Sequence, residues 1–303
     1  MPHHKGRVLV TGATGFLGGA VVRELASRGV PVRAAVRQDP GGWPEGVDVA
    51  MIGDLGPGTD WSAALDGVDA VVHCAGRAHV LSETAADPLT AFRHTNTEGT
   101  LNLARAAAAA GVRRLVFISS IGVNGRETSG APFTAQDAPQ PHSPYAVSKL
   151  EAETGLAALA RDSGLEVVTI RPPLITGPGA RGNLGTLTRW IGKGLPLPLG
   201  AVDGNRRDLV SRERLVDLIA LCLTHEAAAG QTFLVSDGQA VSTRRILLDL
   251  AASLGRPARL LPVPAALLEL AFRVTGRSAL RSQLLGDLEI DITHTRDTLG
   301  WRP

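Results

Sequence analysis

The stretch Val8-Leu9-Val10-Thr11-Gly12-Ala13-Thr14-Gly15-Phe16-Leu17-Gly18 constrains this chain more than any other. An apolar run that reads as a strand passes, through three glycines at three-residue spacing, straight into an amphipathic helix pattern. Gly12 permits a tight turn, Gly15 lets the backbone approach a pyrophosphate, and Gly18 lets the helix pack closely on the sheet. Free N–H groups and the positive dipole end of such a helix stabilise phosphate oxygens. Strand, glycine turn and helix together predict a dinucleotide site.

The rest of the first half repeats the strand-helix alternation. Strand patterns at Arg7–Thr11, Val32–Val36, Val47–Ile52, Ala70–Cys74, Leu115–Ser119 and Val167–Arg171 are separated by helical patterns that include Phe16–Ser27, Ala91–Ala110 and Pro144–Asp162. This predicts an α/β fold, a Rossmann-type doubly wound parallel sheet over residues 1–171. After Arg171 the prolines and glycines of Pro172-Pro173, Gly177-Pro178-Gly179 and Leu195-Pro196-Leu197-Pro198 break the alternation. A smaller C-terminal substrate-binding lobe is expected over residues 172–303, with some segments returning to the first domain. Its expected elements are helices at Arg214–Thr224, Thr243–Leu254 and Pro264–Val274 and a strand at Thr232–Val235. The Ala104–Ala110 tract reads as a small-side-chain packing surface.

Composition narrows the partners. The 31 basic and 29 acidic residues among 303 leave a net charge of +2 and no polybasic block in the sequence, so neither nucleic acid nor a membrane is an expected partner. The longest apolar runs, Leu215–Leu223 and Ala265–Phe272, are interrupted by Asp217 and Glu269 and fall short of a bilayer span. Met1-Pro2-His3-His4-Lys5 leads almost at once into the first strand, without room for a secretory segment. Cys74 and Cys222 in apolar context fit core thiols in a reducing cytoplasm. The eight histidines include no His-x-x-x-His and the cysteines no Cys-x-x-Cys, so no metal site is expected.

Tyr145-Ala146-Val147-Ser148-Lys149 puts a phenol and an ammonium four residues apart on one face of a helix that Ser143-Pro144 begins. A nearby cation in a partly desolvated pocket is expected to lower the phenol's pKa by about 1–3 units, toward the range useful for proton transfer. Tyr145 is the only tyrosine in the chain. Upstream, Ser119-Ser120 falls at the carboxyl end of the fifth strand, the side of such a sheet where ligands bind. At the tip of the second strand Arg37 suits a ribose 2′-phosphate, which favours NADP(H), while Asp39 nearby keeps NAD(H) open.

The Gly-x-x-Gly-x-x-Gly spacing resembles that of the short-chain dehydrogenases/reductases. With Tyr145/Lys149, Gly53-Asp54-Leu55, His73-Cys74-Ala75-Gly76, Asn96-Thr97-Glu98-Gly99-Thr100, Arg171-Pro172-Pro173, Gly177-Pro178-Gly179 and Leu299-Gly300-Trp301, almost the whole chain resembles the extended branch of nucleotide-sugar epimerases, dehydratases and reductases. The resemblance implies that Ser120, Tyr145 and Lys149 are catalytic and that Lys149 also binds the nicotinamide ribose. It implies that Asp54 and Leu55 border the adenine and that Ala75 and Gly76 lie along the cofactor. Gly12, Thr14, Gly15, Phe16, Leu17, Gly18, Arg37, Asn96, Ser119 and Pro172 complete the implied cofactor set. Asn183, Arg207 and Arg281 are the implied contacts to a nucleotide-sugar diphosphate, for which two guanidinium forks are a sound partner. A homodimer through the Tyr145 helix and the one before it is a further implication.

Departures from the family pattern select the reaction. The 4,6-dehydratases place Asp-Glu directly after the catalytic hydroxyl, where this chain has Ile121 and Gly122, so dehydration is not expected. What remains is hydride chemistry at C4 of the sugar. With Asn124 where many epimerases have Tyr, the expected activity is a 4-ketoreductase of a UDP-4-keto-6-deoxy-hexosamine. The alternative is a UDP-sugar 4-epimerase that retains NAD, and a remote one is a non-catalytic NADP-sensing module.

Overall fold

The computed structural model describes residues 6–78, 87–180 and 182–303; the N-terminal Met1–Lys5, read above against a secretory segment, lies outside them. The chain runs β1 (Arg7–Thr11), α1 (Gly18–Ser27), β2 (Val32–Val36), β3 (Val47–Met51), α2 (Ser62–Leu65), β4 (Val68–His73), α3 (Pro88–Phe92), a wide π-type turn (Arg93–Glu98) and α4 (Gly99–Ala109). It continues through β5 (Arg114–Ile118), α5 (Pro144–Ser163), β6 (Glu166–Arg171), β7 (Leu174–Thr176), α6 (Gly182–Gly192), β8 (Leu209–Ser211) and α7 (Arg212–Thr224). The last elements are β9 (Thr232–Leu234), α8 (Thr243–Ser253), α9 (Ala265–Val274), α10 (Ser278–Leu285) and α11 (Thr293–Leu299).

Among the described residues seven parallel strands form one sheet in the order β3-β2-β1-β4-β5-β6-β9, and β7 pairs with β8 in a separate two-stranded ladder. The order reverses between β1 and β4, and in an open α/β sheet the crevice at that switch point, beyond the carboxyl ends of the strands, is where a ligand binds. Strands β1, β2, β4 and β5 are almost wholly buried, with Val8, Val10, Ala34, Val72 and Val116 in one core layer and Leu9, Val71, Leu115 and Phe117 in the other. Near-continuous apolar runs are what a parallel sheet covered on both faces requires.

The expected helix over Ala91–Ala110 is interrupted at its start by the π-type turn that carries Asn96, a deviation that re-aims side chains at functional sites. Strand β9, from beyond residue 172, joins the main sheet on β6, and α7 packs against α1 and β5. The remaining C-terminal elements gather around a third apolar cluster that includes Ile191, Leu197, Leu199, Leu247 and Leu268. The ladder β7·β8 and helices α6, α10 and α11 are absent from the sequence expectation. Their hydrophobic periods are too short or too broken by glycine to stand out locally.

Candidate active site

The glycine turn sits at the carboxyl end of β1. Gly12 has φ of +64°, and a Cβ there would come within 2.9 Å of the Ala75 backbone nitrogen in the loop after β4. A Cβ on Gly18 would collide with the Gly12 carbonyl, so the close approach that the third glycine allows is to the turn itself rather than to the sheet. Helix α1 begins with no side-chain cap and no acidic residue in its first turn. Its N-terminus is therefore open to an anion. Thr14 is exposed, Gly15 and Phe16 are half-buried and Leu17 is buried at the same corner. Gly76, in the loop after β4, belongs to the cradle too: a Cβ there would lie 3.1 Å from Asn96 Oδ1 and 3.5 Å from Lys149 Nζ. Crowding that only glycines relieve is the observation that fits a dinucleotide's pyrophosphate and ribose.

Helix α5 brings the catalytic candidates to this corner. Ser143 caps it by accepting from Ala146 N at 3.2 Å, and Pro144 occupies its first turn. Half-buried Tyr145 meets Phe92 edge-on at 5.9 Å. One turn on, Lys149 is buried, donates to Ile118 O at 2.9 Å and lies 4.5 Å over the Phe117 ring. Ser120 follows β5, and its Oγ accepts from Gly122 N at 3.1 Å while Ile121 N donates to Pro172 O at 3.0 Å. The carboxyl ends of β5 and β6 and the start of α5 are thus tied together around Ser120.

One electrostatic expectation is corrected. Burial pushes the Tyr145 phenol up to about 12 and draws the Lys149 ammonium down to about 8. The expected lowering of the phenol is absent from this arrangement, in which desolvation by burial dominates both groups. A phenol in that range is a proton donor until a further positive charge arrives beside it.

Several predicted contacts have other partners. The Ser119 hydroxyl donates to Glu153. Asn96, fully buried, receives Arg77 N on Oδ1 at 2.8 Å and donates from Nδ2 to Arg77 O at 3.1 Å and Ser148 Oγ at 3.0 Å, so it clamps the β4 loop to α5. Leu55, Ala75 and Pro172 follow β3, β4 and β6 in the chain, and Leu55 packs against the second core cluster. Arg37 and Asp54 face each other in an exposed pair at 3.4 Å, while Asp39 accepts from Gly41 N at 2.9 Å and Trp43 Nε1 at 2.7 Å within its own turn.

The three candidates for a diphosphate converge on α10. Asn183 donates to Gln283 at 2.6 Å, Arg207 to the carbonyls of Ser282 and Gly286 at 3.0 and 2.8 Å, and Arg281 pairs with Glu127 at 2.9 Å and Glu269 at 3.1 Å. Each already holds protein partners, a constraint the sequence does not reveal. A cavity of about 1480 Å³ lies elsewhere in the C-terminal lobe, with Gly177, Leu184, Arg206, Asp237, Ile246 and Ile290 in its wall. Arg206 and Asp208 line that cavity, while Arg207 between them, bridged to Val241 and Leu288, turns toward α10. Among the described residues no three His, Cys, Asp or Glu side chains gather to hold a metal.

Sequence reasoning missed a buried polar network beneath Ser120. Arg171 and Glu153 pair at 2.6 Å with side chains 6% and 9% exposed, Arg171 Nη1 donates to Asn124 Oδ1 at 2.9 Å, and Asn124 Nδ2 donates to Thr134 O at 2.8 Å. The available signal was spacing: Glu153 lies two turns after Tyr145 and one after Lys149, on the same face of α5. Asn124, singled out as standing where many epimerases have Tyr, is a structural member of this network. His142 was also missed; its Cε1 and Ser120 Oγ would lie 3.4 and 3.3 Å from a Cβ placed on Gly122.

The family described as the NAD dependent epimerase/dehydratase family matches residues 8–236. The chain is 45% identical over 302 residues to a UDP-glucose 4-epimerase of Vibrio cholerae, covering 98% of this chain and 90% of that one. Among solved structures, UDP-glucose 4-epimerase of Thermotoga maritima with UDP-glucose has a TM-score of 0.77 at 22% identity over 98% of this chain and 93% of its own, a likeness of fold alone. DesIV of Streptomyces venezuelae, a dTDP-glucose 4,6-dehydratase with NAD bound, has a TM-score of 0.76 at 27% identity over 98% and 92%. With the family pattern spanning the glycine turn, the Ser120 loop and the Tyr145 helix, the chain belongs to the NAD-dependent epimerase/dehydratase family.

Proposed function

We propose that this chain is a nucleotide-sugar 4-epimerase that keeps NAD bound and acts on a UDP-hexose. The observation that supports the reading is the Lys149 ammonium held at the Ile118 carbonyl beside Gly76 of the glycine cradle, with Tyr145 one turn before it on α5 and Ser120 just after β5, in a chain 45% identical to the Vibrio cholerae epimerase. The expectation of net ketoreduction gives way to the alternative weighed with it, since that similarity runs along nearly the whole chain. Buried Ile121 and Gly122 after Ser120 supply no acid-base pair for dehydration.

The cofactor preference follows the same reading. Arg37, the residue that favoured NADP(H), is paired with Asp54, so a 2′-phosphate would meet a carboxylate there. A ribose hydroxyl would meet a hydrogen-bond acceptor, which suits NAD. Gly12, Gly15 and Gly18 would hold its pyrophosphate, and Lys149 and Asn96 border its ribose end. When bound, NAD supplies a hydride acceptor and donor at C4 and, in its oxidised form, a positive charge that offsets the desolvation of the phenol. Tyr145 would take the C4 hydroxyl proton as the hydride leaves C4 and, once the 4-keto sugar has turned its other face to the returning hydride, would give that proton back to the C4 oxygen. Ser120 holds the C4 oxygen by a hydrogen bond, and Lys149 keeps the β5 end and the phenol in register. A homodimer through α4 and α5 belongs to this proposal, with sedimentation velocity as its check.

Incubating the purified protein with UDP-glucose tests the reading. Formation of UDP-galactose to a fixed equilibrium ratio, without net change in the NADH absorbance, is expected. Stoichiometric consumption of added NADPH with a UDP-4-keto sugar, and no interconversion of UDP-glucose, would overturn it in favour of the reductase.

A further inference from the structure

Helix α9 is apolar on two sides. Leu268 and Phe272 pack into the third core cluster with Ile191 and Leu197, which accounts for one side. The other carries Leu267, Leu270 and Val274, exposed by 57%, 55% and 78%, with Ala271 between them at helical spacing. Trp190, Leu195 and Leu261 are exposed on elements of the same lobe: Leu195 N donates to Trp190 O, and Leu197 pairs with Leu260 beside Leu261. Isolated exposed leucines are ordinary, but a stripe along one helix in a lobe that also exposes a tryptophan marks a candidate interaction surface.

The charge around this surface says what it fits. Lys193, Arg256, Arg259, Arg273 and Arg277 lie in the segments that pack around the third core cluster, and none has a side-chain ion pair among the described residues. The single acid within residues 254–277, Glu269, is paired with Arg281. An apolar stripe with a tryptophan and unpaired cations around it matches a layer of acyl chains beneath anionic headgroups. A second copy of the chain is a poor occupant, since a two-fold contact would set these cations against each other.

We propose that the α9 face docks this protein peripherally on an anionic lipid bilayer, with Leu267, Leu270 and Val274 in the interface and the arginines against the headgroups. The sequence expectation against membranes rested on the absence of a polybasic run; the fold assembles the cations from separate segments. Among the described residues no helix is long and apolar enough to cross a membrane, so the contact is one of surface docking.

Sedimentation of the full chain with phosphatidylcholine vesicles, with and without phosphatidylglycerol, tests this. Pelleting is expected only with the anionic vesicles and weakens at high salt. Tryptophan emission is expected to shift to the blue, a shift that Trp190→Phe removes; Trp61 and Trp301 are buried. Arg273→Gln with Arg277→Gln lowers the partition coefficient about 25-fold, on the order of 1 kcal/mol per cation. Leu270→Ser, on the exposed side of α9, lowers it about tenfold or more, and all variants keep wild-type epimerase turnover and melting. No pelleting, or equal pelleting with both vesicle types, overturns the proposal. So does a dimer that Leu270→Ser dissociates without any vesicle binding, which would assign the face to a second copy.

Discussion

Replacing Glu153 by Gln keeps the side chain's shape and removes one charge from the network beneath Ser120. Arg171 then retains Asn124 Oδ1 as a partner but loses the carboxylate that takes Nε at 3.0 Å and Nη2 at 2.6 Å. The new amide N–H₂ also points a donor at either Arg171 or the Ser119 hydroxyl, both of which need an acceptor. Breaking one half of a buried ion pair costs about 3–5 kcal/mol. With an unfolding entropy of about 2.1 cal/mol/K per residue, a chain of 303 residues loses roughly 5–8 °C in Tm. Arg171→Met is expected to cost a similar amount. The double variant Glu153→Leu with Arg171→Met removes both charges and leaves only Ser119 and Asn124 short of a partner, a loss of about 1–3 kcal/mol. Differential scanning calorimetry on these proteins and on Glu153→Leu alone closes the cycle formed by wild type, Glu153→Leu, Arg171→Met and the double variant. Additive single losses, or a Glu153→Gln variant that melts with wild type, would show that the pair is not coupled and refute the reasoning.

Three further outcomes follow from the site. Tyr145→Phe is expected to lower kcat by about 10²–10⁴ while tritiated NAD binding and circular dichroism stay unchanged; turnover within tenfold of wild type would remove the phenol from the chemistry. Gly18→Ala forces a methyl into the Gly12 carbonyl and is expected to weaken NAD binding at least about tenfold, more than 1.4 kcal/mol, as read by isothermal titration calorimetry; unaltered affinity would mean the turn can relax. Lys149 titrates near 8 when folded against an ordinary 10.5. The unfolded chain therefore binds the extra proton between those values, so the wild type gains stability relative to Lys149→Met as pH rises from about 8 to 10.5, at up to about 1.4 kcal/mol per unit. Urea unfolding of both across that window checks the sign, and a falling difference would contradict it.

The order of motifs along the chain was enough to identify the parallel α/β sheet of the first half. An apolar run followed by Gly12, Gly15 and Gly18 has few other uses, and the strand patterns from Arg7 to Arg171 recur within two residues in β1 to β6. Parallel strands buried on both faces write themselves into sequence as apolar runs, and turns between them require particular residues at particular places. Tyr145 and Lys149 were legible for the same reason, since helical spacing is local.

What depends on which distant segments meet was not legible. Asn183, Arg207 and Arg281 were singled out one by one, yet their carbonyl, amide and carboxylate partners on or near α10 exist only in the folded chain. Burial likewise reversed the expected acidity of Tyr145, because desolvation depends on every atom packed around a group and not on the residue four positions away. The basic residues offered to the α9 face come from two sequence segments, which meet only when the third core cluster packs. Local spacing and backbone geometry are written residue by residue, whereas dielectric environment and charge density are properties of three-dimensional proximity.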